Sequence, residues 1–133
     1  MLAGVFAIPL LTLLLVVACV LLHCEGLIWL QRRLLSVHGV PRRTRVLAAI
    51  TGVLVMHALE IMVFAAGYQL ALMLPNGGTL LGAHGGSFFD SLYFSATTYS
   101  TLGYGDIAPQ GLIRRIAGTE SLMGLGLIAW SAS

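Results

Sequence analysis

"TTYSTLGYGDIAP" occupies residues 97–109. Two glycines flank a tyrosine here, just after a run of threonine, tyrosine and serine. Neither an apolar membrane segment nor an ordinary surface turn needs that order, so its meaning depends on the chain around it. Of 133 residues, 58% are hydrophobic and only 9% are charged, with a mean hydropathy of +0.94. A soluble domain of this length needs far more charge to cover its surface. The composition therefore points to a bilayer.

The net charge of +2 is too small to indicate nucleic acid. All seven basic residues are arginines, and Arg32, Arg33, Arg42, Arg43 and Arg45 cluster between two apolar stretches. Cys19 and Cys24 point in different directions on a helix, which disfavours a mutual disulfide. No CxxC or His/Cys spacing indicates zinc, and both thiols read as small buried apolar groups. "VVAC", ending at Cys19, resembles a lipoprotein cleavage site. No basic residue precedes it, however, so a retained helix is expected.

Residues 2–22 are apolar apart from Thr12 and cover roughly 30 Å, one hydrocarbon thickness. The next stretch, with Trp29, Arg32 and Arg33, either extends that helix or lies along the membrane surface. Gly39 and Pro41 end it. Residues 46–74 form a second span, long enough to cross with tilt. Residues 75–86, "PNGGTLLGAHGG", read as a loop throughout. Ser87 as N-cap, with Asp90 three residues on, predicts a short helix over 87–99, too short to span. The last span covers 111–133. The five arginines place the loop between spans one and two in the cytoplasm, and the N-terminus and the 75–109 region outside. Residues 1–45 then form one unit, an N-terminal helix with its basic loop, and 46–133 a second.

Irregular backbone at membrane depth is tolerated only where protein buries it or where it lines a watery cavity. A short helix followed by a glycine-bearing extended strand fits the second case. Carbonyls that replace the water shell of a cation must all point inward, which requires alternating backbone handedness. Glycine accepts positive φ without a Cβ penalty, so Gly103 and Gly105 are the residue type needed at alternate positions.

Thr101-Leu102-Gly103-Tyr104-Gly105-Asp106 resembles the selectivity filter of potassium channels, the familiar example of carbonyl-based ion selection. The resemblance covers residues 87–133 through these motifs and 46–74 by layout, but not the first 45. It implies an all-α membrane protein of bacterial type with three transmembrane helices, a re-entrant pore helix (87–99) and an extended filter (101–106). The outer helix would be 46–74, the outer loop 75–86 and the inner, pore-lining helix 111–133. The carbonyls of Thr101, Leu102, Gly103 and Tyr104, with the Thr101 hydroxyl, would form stacked K+ sites, and Gly105 would complete the strand. Tyr104 would pack outward and hold the ring's diameter. Asp106 would anchor the outer mouth, with Tyr93 the neighbouring aromatic able to offer it a hydroxyl. Four chains are needed to ring an ion, which implies a homotetramer. Leu102 stands where valine is commoner, but it contributes a carbonyl. Some members carry a glutamate behind the filter where this chain has Thr97, so filter support must differ.

Glu120, about nine residues into the last span, either faces the pore helix and takes that role near Thr97, Thr98 or Ser100, or snorkels or pairs with an arginine close to the outer surface. His57 and Glu60 share a helix face and read as a hydrogen-bonded pair. His23 and Glu25 are placed near the cytoplasmic interface without a role, and His84 in the outer loop. The arginines lack the every-third spacing of a voltage sensor and act as topology determinants or lipid contacts. Arg114 and Arg115 pair with Asp106, Asp90 or headgroups, or serve as interfacial anchors. Gly124 and Gly126 are the candidate gating hinge, against close helix packing as the alternative.

No GxSxG, metal cluster or phosphate loop is present, so the chain is not expected to be an enzyme or to need a cofactor beyond K+ as permeant ion. The expectation is a potassium-selective channel in the plasma membrane, the inner membrane of a bacterium. The alternatives are a non-selective cation channel and a non-conducting membrane subunit of another channel.

Overall fold

A computed structural model of the chain describes residues 2–36 and 39–133. The elements are α1 (Leu2–Ser36), α2 (Arg42–Met73), β1 (Thr79–Leu81), α3 (Phe88–Tyr99), β2 (Ala108–Gln110) and α4 (Ile113–Ser131). Among the described residues the architecture is four helices with a small antiparallel ribbon. By length and apolar composition, two segments among the described residues qualify to cross a membrane, Val5–Ser36 and Arg42–Met73. α4 has 19 residues. With Arg114, Arg115 and Glu120 along it, it is not among those two.

α1 is one unbroken helix of 35 residues. The polar stretch after residue 22 therefore extends the first helix rather than turning along the surface. α2 begins at Arg42, inside the basic cluster, and ahead of the position its apolar run predicts. α1 packs on both α2 and α4, and small residues let it approach closely. A Cβ on Gly67 would lie 2.4 Å from a Leu15 methyl, and one on Gly52 2.7 Å from a Leu30 methyl. Lipid gives no hydrophobic drive between helices, so such close contact is what holds them together.

The buried core joins all four helices: Ile8, Leu15 and Cys19 from α1, Phe64, Tyr68 and Ala71 from α2, Phe94 from α3, and Ile113, Ile116 and Ala117 from α4. Large apolar side chains also cover the outside, among them Phe6, Leu10 and Leu13 on α1 and Leu47 and Leu54 on α2. A surface this apolar suits hydrocarbon rather than water.

α3 starts where its cap dictates. The Asp90 N–H donates to Ser87 Oγ at 3.2 Å, and the Ser87 N–H donates to Asp90 Oδ2 at 3.3 Å. Both limbs of the capping box are made. Beside it, the 75–86 region is not loop throughout. β1 pairs with β2 in the register Thr79↔Gln110, Leu80↔Pro109, Leu81↔Ala108. The Ile113 N–H then donates to the Gly77 carbonyl at 2.9 Å. The ribbon takes up residues 108–110, so the last helix begins at Ile113 and not at 111. Three-residue strands carry no readable periodicity, and their partners lie on opposite sides of α3 in sequence.

Replacing the cap, Ser87→Ala, is expected to cost about 1 kcal/mol. Thermal unfolding in detergent should show this as a lowered midpoint, with Ser87→Asn restoring most of it.

Candidate functional site

α3 is a short helix wedged between α2 and α4, tied to them by polar side chains at three heights. At its start, Gln69 Nε2 donates to Ser91 Oγ at 2.8 Å and to the Gly86 and Ser87 carbonyls at 3.2 Å each. At mid-helix, Ser95 Oγ hydrogen-bonds the Glu120 carboxylate and lies 2.9 Å from the Ile61 carbonyl. The Tyr68 hydroxyl donates to the other Glu120 oxygen, and its ring meets Phe94 edge-on, with centroids 5.0 Å apart. At the end, the Tyr99 hydroxyl donates to Glu60. Ser91, Ser95, Glu60 and Glu120 are all fully buried. Every such atom needs its partner at this depth, and no buried side-chain nitrogen or oxygen among the described residues lacks one.

Glu120 thus faces α3 and, among the described residues, is neither snorkelling nor paired with an arginine, but its partner is Ser95 and not Thr97, Thr98 or Ser100. The side chain of Thr97 is buried and turns back to the Phe94 carbonyl at 3.0 Å. Thr97 and Thr98 reach the following strand through their backbones instead. The Thr97 carbonyl accepts from the Gly103 N–H, and the Thr98 carbonyl from the Thr101 N–H, both at 3.0 Å.

The strand that follows has an alternating backbone. Thr101, Gly103 and Gly105 have φ of +59°, +52° and +83°, and the intervening Leu102 and Tyr104 are not in that region. Nothing lies within 4 Å of a Cβ built on Gly103 or Gly105. Glycine is required there by conformation and not by space. Thr101 takes the same hand without that freedom, a disfavoured state for a β-branched residue. Residues 101–106 are exposed along the chain surface, Leu102 at 57% and Tyr104 at 69%. Asp106, also exposed, hydrogen-bonds the Tyr93 hydroxyl, and that bond raises the Tyr93 phenol above its ordinary pKa.

The two candidate hinge glycines differ. A Cβ on Gly124 would lie 2.2 Å from the Tyr99 carbonyl oxygen, so Gly124 lets α4 touch the end of α3. Gly126 has open space around it. α4 runs unbroken through both. Arg114 and Arg115 are exposed, and neither forms an ion pair among the described residues.

Sequence reading missed Tyr68, Ser95 and Tyr99, whose hydroxyls meet the two buried carboxylates. It also gave His23 no role, although the side chain is fully buried. Its Nδ1 lies 2.8 Å from Glu60 Oε1. The only local signal was the run of hydroxyl residues in an otherwise apolar region.

The arrangement presents an extended segment of alternating backbone hand at the end of a short helix braced by buried acids. A family model described as "Ion channel" matches residues 56–133, more than half of the chain. No curated protein and no solved structure matches it.

Removing one donor from Glu120 by Tyr68→Phe leaves a buried oxygen short of a partner. We expect a loss of about 1–3 kcal/mol, read as a lower unfolding midpoint of the purified protein.

Proposed function

We propose, from the premise that this chain belongs to the ion-channel family matched over residues 56–133, that it forms a homotetrameric, potassium-selective pore. The observation that carries this reading is the alternation of positive φ at Thr101, Gly103 and Gly105. In that backbone, successive carbonyls can face one axis. Four such strands would offer a dehydrated cation rings of oxygen in place of its water shell. K+ would then occupy sites made by the carbonyls of Thr101, Leu102, Gly103 and Tyr104.

A single chain supplies one quarter of each ring. The exposure of Leu102 and Tyr104 supports assembly, since both are apolar or aromatic surface that a neighbouring copy would cover. Tyr104 against the next subunit would fix the diameter of the ring. Asp106, held by Tyr93, would pin the outer end of the strand. At the inner end, the pore helix α3 would turn its partly negative terminus toward the permeating cation.

In this reading α4 is a third membrane crossing that lines the pore. Arg114 and Arg115 sit at its outer end, and Glu120 is neutralised in cost by Ser95 and Tyr68. The basic segment around Arg42 faces the cytoplasm, and the N-terminus faces outward across the plasma membrane. Residues 46–133 act as the pore unit, with 1–45 as an added helix and loop. Gly124 serves close packing, which leaves Gly126 as the position where α4 would bend.

The decisive measurement is the reversal potential of the purified protein in a planar bilayer, with K+ on one side and Na+ on the other. We expect a large shift toward the K+ equilibrium value. Current that reverses near zero would overturn the selectivity assignment.

Gly103→Ala separates conformation from packing, because the added methyl meets nothing in the chain. It forces a side chain into positive φ at a cost of about 1–2 kcal/mol. We expect the tetramer to persist on native gels while the K+/Na+ permeability ratio falls toward one.

A further inference from the structure

Beneath the pore helix, a second polar cluster joins all four helices and is left unused by the conduction reading. His23 from α1 and His57 and Glu60 from α2 bring ligand-capable atoms within 4.8 Å of one another. His23 Nδ1 lies 2.8 Å from Glu60 Oε1, and His57 Nδ1 lies 2.9 Å from Glu60 Oε2. The Tyr99 oxygen is 2.9 Å from His57 Nδ1. On the far side of the rings, Ser131 Oγ on α4 meets both remaining nitrogens, His23 Nε2 at 3.3 Å and His57 Nε2 at 3.2 Å. His23 and Glu60 are fully buried, and the His57 side chain is 12% exposed.

Counting protons shows what this arrangement lacks. If both imidazoles are neutral and donate Nδ1–H to Glu60, both Nε2 atoms are acceptors. They then face one serine hydroxyl, which has one proton to give. One Nε2 then stays without a donor from within the protein, a gap that one added proton or a bound cation would close. A cation on the Nδ1 side reverses the count. Both Nε2 atoms then carry hydrogen and donate to Ser131 Oγ, which accepts twice. The Ser131 hydroxyl keeps its own acceptor, the Leu127 carbonyl at 3.1 Å. A metal-ligating histidine that donates its other N–H to a fixed oxygen is the usual outer-shell arrangement.

We propose that His23, His57 and Glu60 form a binding site for a divalent transition cation of the Zn2+ class, with the Tyr99 oxygen as the adjacent fourth position. Two imidazoles and a carboxylate suit Zn2+ and its neighbours and not K+, Mg2+ or Ca2+, which take oxygen ligands. Bonds of about 2.0–2.1 Å put tetrahedral ligands roughly 3.3 Å apart. The present N···O contacts therefore need to open by about half an ångström, which side-chain rotation supplies. An open cavity of about 510 Å³, lined by Leu27, Leu30, Val53, Trp130 and Ser131 among others, touches Ser131 on the Nε2 side of the two rings. An ion bound here would clamp α1 to α2. Through Ser131 and Tyr99 it would also fix the last turn of α4 and the end of α3. The site does not depend on the ion selectivity of the pore.

The test uses Co2+ as an optical probe on the chelator-treated full chain in detergent. We expect one Co2+ per chain, with the visible bands of a four-coordinate centre, displaced by Zn2+, and an unfolding midpoint that rises with the metal. His23→Ala and His57→Ala should each abolish the bands. Ser131→Ala keeps all three ligands and should weaken binding by about 10–100-fold, which a folding defect alone would not imitate. Absence of Co2+ bands in the wild-type chain would overturn the proposal in favour of a cluster completed by a proton. Bands that survive both histidine substitutions but vanish in His84→Ala would overturn it in favour of a loop site.

Discussion

A helix of twelve residues cannot hold itself in place, and this fold is organised around that constraint. Apolar burial gives little drive between helices when the surroundings are as apolar as the side chains. What fixes α3 is a set of polar contacts that would be costly to leave unmade. Gln69 takes its first turn, Glu120 with Tyr68 takes Ser95, and Glu60 takes the hydroxyl of Tyr99. Each acid is buried and each has hydroxyl partners. Position and satisfaction are the same requirement: any slide of α3 would strand several buried groups at once.

The strand after α3 inherits its geometry from that fixation. Two backbone bonds run from it to the last turn of the helix, Gly103 N–H to Thr97 and Thr101 N–H to Thr98. Positive φ at Thr101 costs energy that a glycine would not. It is held where α3 cannot shift to relieve it, because Tyr99 is tied to Glu60 and its carbonyl lies against Gly124. Farther along, Tyr93 meets Asp106, and the β1–β2 ribbon closes the outer end just before α4. The irregular segment is therefore held at both ends by regular structure, which is what lets its middle remain exposed and extended.

How much of this was legible depended on whether the signal was local. The capping box at Ser87 and Asp90 is a four-residue pattern, and α3 begins where it indicates. The glycine spacing at 103 and 105 gave the alternation, but not Thr101, since threonine carries no sign of positive φ. The ribbon escaped notice because three-residue strands have no period and their partners lie across α3. Glu120 was readable as a buried acid facing α3. Its partner was not, because choosing Ser95 over Thr97 requires the relative height of two helices, which no single-helix pattern contains. The role of His23 was hidden for the same reason: its partner Glu60 is 37 residues away, and only the antiparallel packing of α1 on α2 sets them level.

That pairing bears on α1, the helix outside the matched family region. Glu60 lies within residues 56–133, but one of its two carboxylate oxygens is met by His23 from α1 and the other by His57 and Tyr99. The Cys19 thiol also lies 3.8 Å from the Glu60 carbonyl. A chain built from the matched region alone would leave Oε1 of a fully buried acid without a partner. α1 is thus more than an apolar sheath on a finished module. It completes the polar interior that holds Tyr99, and through Tyr99 the start of the 101–106 strand. The same helix packs along α4 near Ser131, so any movement of the last helix must be made against α1 as well as against α2. A reading of this chain as a two-helix pore with one appended span undercounts the parts on which the strand's position depends.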